Sequence, residues 1–179
     1  QETSADGRIV YNDIFPNVKV KRGDGAANLW GIEGNDTNTY LATSPTGTAT
    51  GFGADLMLID DVIKNEYEAR NDNIKEQHWK WFTDTMLSRR EGKRKVIVVM
   101  TRWASDDLAG RLIETLDRQG KKYRLICYKA FDGHSMLCED ILSRAQYEDI
   151  LQDDTGKDIV EANYNQSPID VTGRLYSQL

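Results

Sequence analysis

Two short, unbroken apolar runs constrain this chain more than any other feature. They are Leu56-Met57-Leu58-Ile59, ending in Asp60-Asp61, and Lys95-Val96-Ile97-Val98-Val99-Met100, ending in Thr101-Arg102. Continuous runs of this length, without polar alternation, are the pattern of strands buried on both faces. Between them Ile74, His78, Phe82 and Met86 recur every fourth position, with Trp79 and Trp81 widening the stripe, so 66–88 reads as a helix. After the second run Ser105 reads as an N-cap, with Asp106 and Asp107 placing negative charge in a first turn. Leu108, Leu112, Ile113 and Leu116 then share one face until Gly120 stops the helix. Tyr123 to Tyr128 reads as a third strand, and Ser143 to Leu151 and Thr155 to Asn165 as helices. Strands alternating with helices predict an α/β layer with a largely parallel sheet, at 56–60, 95–101 and 123–128, flanked by helices. Ligands bind at the carboxyl ends of such strands, where Asp60-Asp61 and Thr101-Arg102 lie.

Residues 1–39 are polar and turn-rich. Ile9-Val10-Tyr11, Ile14-Phe15 and Val18-Lys19-Val20 are possible short strands, separated by turn signals at Asp24-Gly25 and Glu33-Gly34-Asn35-Asp36. Thr39 to Thr43 reads as another strand, followed by a Gly/Thr/Ser/Pro-rich loop from Ser44 to Gly53. The chain's 179 residues are enough for one domain with a core, to which 4 Trp, 8 Tyr and 4 Phe contribute. A net charge of −6 means that any DNA contact is local or shared with partner segments. Cys127 and Cys138 make no disulfide framework, no apolar run approaches the roughly 18 residues of a membrane span, and a reducing cytoplasm is the simplest compartment.

The two strand ends carry the chemistry. Four apolar residues followed by two acids match the Walker B pattern of P-loop NTPases. A buried strand fixes such acids at the sheet edge: the first holds Mg²⁺, and the second orients or deprotonates the water that attacks a γ-phosphate. An adjacent parallel strand would bring the Thr101 hydroxyl to the phosphate side of Asp60. Each feature alone also describes a strand meeting a polar loop; their order along one chain points to phosphoryl transfer.

The stretch from Thr50 to Asp61 resembles the Walker B region of tailed-phage terminase large subunits, the ATP-driven motors that package DNA. Met100-Thr101-Arg102-Trp103, followed by Asp106-Asp107-Leu108-Ala109-Gly110-Arg111-Leu112, resembles their coupling segment and the helix after it. Ile14-Phe15-Pro16, Ala162 to Pro168 and Gly173-Arg174-Leu175-Tyr176 are similar to flanking segments, so the likeness spans nearly the whole chain in order. The resemblance implies part of a P-loop NTPase core over 1–166, with 167–179 leading toward a nuclease domain, the parent being both ATPase and endonuclease. Asp60 would be the Mg²⁺-associated, ATP-binding acid. Asp61 would stand where many relatives carry the catalytic carboxylate, and Thr101 would report phosphate loss to the helix beginning at Ser105. The implied partners are double-stranded DNA, a portal protein, a small terminase subunit and further copies in a ring; the implied place is the host bacterial cytoplasm, at the procapsid portal.

A phosphate-cradling G-x-x-x-x-G-K-[ST] loop is also required. The Gly-Lys pairs, Gly92-Lys93, Gly120-Lys121 and Gly156-Lys157, are followed by Arg94, Lys122 and Asp158, so none qualifies. The expectation is that this loop precedes Gln1 and that the chain alone does not hydrolyse ATP. Gly47, Gly51 and Gly53 read as a turn between strands, and Arg22, Arg70 and Arg102 are arginine-finger candidates. Arg89, Arg90, Lys93, Arg94 and Lys95 form the densest basic cluster, suited either to DNA phosphates or to a solvated helix C-terminus. Cys127, His134 and Cys138 are too irregularly spaced to read as a zinc site. The alternatives are another P-loop translocase or helicase, and a non-catalytic nucleic-acid- or partner-binding fragment of a decayed prophage gene.

Overall fold

The computed structural model describes residues 9–47, 52–87, 95–152, 157 and 160–168. The chain divides into two compact units, Gln1–Gly51 and Phe52–Leu179.

The first unit holds a short helix, α1 (Tyr11–Ile14), and an antiparallel sheet of β1 (Val20–Ala26), β2 (Leu29–Ile32) and β3 (Tyr40–Leu41) in that order. Asp24-Gly25, expected as a turn, lies inside β1 instead. The chain reverses at Ala27-Asn28, because Ala26 pairs with Leu29, and a register shift between Val20 and Gly25 absorbs the irregularity. The expected turn at Glu33 to Asp36 does form, with Gly34 at φ +89°. Trp30 and Tyr40 face each other across β2 and β3 and stack at 4.9 Å, the cross-strand aromatic contact that holds so small a sheet in register.

The second unit is α/β. Strands β4 (Leu56–Asp60) and β5 (Lys95–Val99) pair in parallel, from Leu56 opposite Lys95 to Asp60 opposite Val99. Around them lie α2 (Glu66–Ala69), α3 (Asp72–Lys80), a π-helical turn Trp81–Met86, α4 (Leu108–Arg118), α5 (Arg144–Gln152) and a second π-helical segment, Val160–Tyr164. The single helix expected over 66–88 is interrupted. Asn71 leaves the helical conformation and accepts hydrogen bonds from the Asn73 and Ile74 amides, so it starts α3 afresh.

One core cluster forms where Ile59, Phe82 and Leu108 are buried, with Val96, Val98, Trp79, Trp81 and Leu112 packed around them. A second joins Met136, Tyr147 and Val160, with Phe131, Ile150 and Tyr164 at its edge. Burial of the sheet differs from expectation. Met57 and Ile59 are buried, but Leu56, Leu58, Ile97 and Val99 on the opposite face are 57%, 62%, 46% and 51% exposed. Among the described residues the helices cover one face only. Residues 123–128 form no strand: among the described residues their backbone groups find no ladder partner, and Leu125, Ile126 and Tyr128 are exposed. Among the described residues no helix is long and apolar enough to cross a membrane.

Candidate functional site at the strand ends

Because β4 and β5 run in parallel with Asp60 opposite Val99, their carboxyl ends leave the sheet at one edge, side by side. The Asp61 amide continues the ladder by donating to the Val99 carbonyl at 3.0 Å. Asp61 then adopts a left-handed φ of +40°, uncommon for a residue with a side chain and a conformation that Asp tolerates better than most. That twist turns its carboxylate across to the neighbouring strand, where Oδ1 accepts from the Thr101 amide at 3.2 Å. Asp61 and Thr101, singled out separately in the sequence, are therefore in direct contact. The Asp60 side chain is exposed and has no hydrogen-bond or ion-pair partner among the described residues.

The loop that follows β5 is built around a residue whose part the sequence did not reveal. Asp107 is fully buried and caps α4, accepting from the Gly110 amide at 2.9 Å. Its other oxygen accepts from the Trp103 and Ala104 amides at 3.2 and 3.4 Å. The Arg102 guanidinium closes on the same carboxylate, with Nε 3.1 and 3.0 Å from its two oxygens, while Nη2 donates to the Ala104 and Ser105 carbonyls. The buried charge is thus neutralised and its lone pairs are filled. The N-cap is Asp107, not Ser105 as expected; its carboxylate meets several amides at once and carries the charge that offsets Arg102. Gly110 fits here because it has no side chain: a Cβ would lie 1.8 Å from the Ser105 carbonyl oxygen.

A third element reaches the same loop. Gln166, also left-handed at φ +57°, accepts from the Arg102 amide through Oε1 at 3.2 Å and donates from Nε2 to the Asn163 carbonyl at 2.6 Å. Between α3 and the start of α4, the buried Lys75 bonds to Asp106 at 2.6 Å and Asp72 at 3.0 Å, and Arg111 bonds to Glu76 at 2.6 Å. Burial alone would lower the Lys75 pKa; the hydrogen bonds to Asp106 and Asp72 outweigh it and hold the ammonium above its ordinary value.

Other expected participants are placed differently. Arg102 turns inward onto Asp107, Arg70 pairs with Glu66 in α2, and Arg22 lies in β1. Arg89, Arg90, Lys93 and Arg94 lie outside the described residues, as does Gly51 of the Gly-rich loop. Cys127 and Cys138 are exposed free thiols. No group of three or more His, Cys, Asp or Glu among the described residues could hold a metal ion. The strand-end donors still suit Mg²⁺, which keeps most of its own water and takes one or two carboxylates plus substrate phosphates. The exposed oxygens of Asp60 are of that kind.

A carboxylate pair beside a hydroxyl residue at a parallel-strand edge can hold a hydrated cation, orient a water and register its displacement. No family model matches the chain, and neither a curated protein nor a solved structure was found to match it.

Proposed function

We propose that the chain carries the acidic and coupling strands of a DNA-packaging ATPase of the terminase large-subunit type, the sheet being part of a P-loop core. The observation that carries this proposal is the bond from the Thr101 amide to Asp61 Oδ1, which ties the two strand ends into one unit. The exposed sheet face adds support, since parallel sheets are ordinarily covered on both faces and further elements of a P-loop core would cover this one.

In this mechanism Asp60 would hold the Mg²⁺ that accompanies ATP, and the ion would supply charge neutralisation at the phosphates. Asp61, held through Oδ1, keeps its second oxygen free to orient and deprotonate the attacking water. Departure of phosphate relaxes the Asp61–Thr101 contact, and the shift passes through the clamped loop into α4. Arg89, Arg90, Lys93 and Arg94 supply backbone contacts to double-stranded DNA. Portal protein, small subunit and sister copies in a ring complete the motor in the host cytoplasm, and the parent also bears a nuclease.

Sequencing the coding DNA on both sides tests this first. An in-frame G-x-x-x-x-G-K-[ST] upstream and an acid-rich domain downstream are expected; stop codons at both edges would remove the motor. In the parent protein, Asp60→Ala and Asp61→Asn should each lower ATP turnover by about 100-fold. Asn keeps an Oδ1 acceptor for the Thr101 amide, so its effect reads the charge and not the geometry. An unchanged rate in both would sink the proposal. A non-catalytic binding module is the second reading, favoured by the lack of any Gly-Lys-[ST] within these 179 residues. The flanking DNA decides between the two.

A further inference from the structure

Gln166 is 64 residues from Arg102 in sequence, yet its side chain is bonded to the Arg102 amide. That amide is the neighbour of the one Asp61 holds, so consecutive backbone N–H groups at the end of β5 are gripped from opposite directions. The amide orientation of Gln166 is fixed, because reversing it would set NH₂ against the Arg102 N–H and oxygen against the Asn163 carbonyl. Behind Gln166 the chain is anchored. Val160 is fully buried, the Asn165 amide donates to its carbonyl at 2.8 Å, the Ser167 amide donates to the Glu161 carbonyl at 2.7 Å, and Asn165 Nδ2 reaches the Tyr147 hydroxyl at 3.0 Å. Gln166 therefore joins the strand-end site to the second core cluster.

We infer that Gln166 is a positioning residue coupling Asp61 and Thr101 to the segment Val160–Gln166, a second output of the site beside α4. Its meaning for ATP turnover rests on the proposed function; its mechanical content does not. The two grips lie on adjacent peptide planes that meet at the Thr101 Cα, the Thr101 N–H in the Met100–Thr101 plane and the Arg102 N–H in the Thr101–Arg102 plane. Only the φ and ψ of Thr101 separate them, so a shift of that Cα that lengthens the Asp61 contact also displaces the Arg102 N–H relative to Gln166. Left-handed backbone at both Asp61 and Gln166 allows clean removal of either side chain by glycine, which takes up that conformation without strain.

The first test is amide hydrogen exchange in the 179-residue chain. Asp61→Gly should quicken exchange about tenfold at Thr101, its direct partner, and also at Arg102, Asn165 and Ser167. Gln166→Gly should quicken Arg102 and, reciprocally, Thr101, with α5 amides unchanged. Acceleration confined to the directly bonded amide, or spread equally over α5, overturns the inference. Gln166→Glu keeps an acceptor for Arg102 but sets its second oxygen against the Asn163 carbonyl, so slow exchange at Arg102 should be restored only in part. In an ATP-hydrolysing parent, Gln166→Gly should lower kcat about tenfold with KM within about twofold; an unchanged kcat also overturns the inference. A parent that hydrolyses no ATP overturns the proposed function instead, and the exchange result then decides the coupling by itself.

Discussion

At the scale of single residues, His78 carries a pH dependence. Its Nδ1 is buried without a hydrogen-bond partner among the described residues, and burial lowers its pKa from the ordinary 6.5, with Glu68 opposing and Lys64 adding to the effect. The unfolded chain takes up a proton near 6.5 while the folded chain resists it, so protonation favours unfolding. The contribution is fully present above the unfolded value and is lost as pH falls below it. The urea midpoint should therefore drop between pH 7.5 and 5.5, and His78→Leu should drop less over the same interval. Equal drops in the two proteins would show that another group titrates. The sequence placed His78 on the apolar stripe with Ile74 and Phe82; its unfilled nitrogen follows from the depth of packing, which periodicity does not report.

At the scale of elements, the order strand, helix, strand, helix is legible because each element is encoded locally. A β-branched run gives β5, and apolar residues spaced along one face give α4, which Gly120 ends at φ +62°. What depends on a partner is not encoded locally. Tyr123 to Tyr128 has strand composition and, among the described residues, no strand beside it, so composition misleads. Parallel register brings strand ends together, so Thr101 was expected beside Asp60; that its amide bonds Asp61 depends on the left-handed turn at Asp61, which has no local signal. Gln166 left no periodic trace, since one side chain meeting one distant amide has no repeat. Asp107 was read as a charge in the first turn, and only the packed loop shows it as the cap. The clamp between α3 and α4 is likewise tertiary. Lys75 is 8% exposed and Asp106 44% exposed, so their bond is partly shielded from solvent. Lys75→Ala should cost about 1–2 kcal/mol, and a Lys75→Ala/Asp106→Ala double-mutant cycle should give about 1 kcal/mol of coupling. Additive single effects would mean that the Lys75–Asp106 bond adds nothing to the Arg111–Glu76 pair and the Leu108 and Leu112 packing.

At the scale of the whole molecule, the exposed face of β4 and β5 departs from the usual pattern of parallel sheets, which are covered on both faces. Ile59 and Leu58 are consecutive in β4 and point to opposite sides, one 3% and the other 62% exposed. Ile59→Ala opens a cavity between the sheet and Phe82 and should cost about 3 kcal/mol in the isolated chain. Leu58→Lys removes no burial there and should change stability by less than about 0.5 kcal/mol, while reducing self-association through the apolar face. In a parent whose further elements complete the layer, the same Lys would be driven into a covered interface, and a loss of several kcal/mol or failure to fold is expected. Thermal or urea unfolding of Leu58→Lys in both settings measures the difference. A neutral result in both would leave this face solvent-facing in the parent as well and remove the support it lends to a half-built P-loop layer; a large loss in the isolated chain would show the face already covered. The same substitution thus reads, from stability alone and without any assay of turnover, whether the exposed face of β4 and β5 is covered in a larger layer.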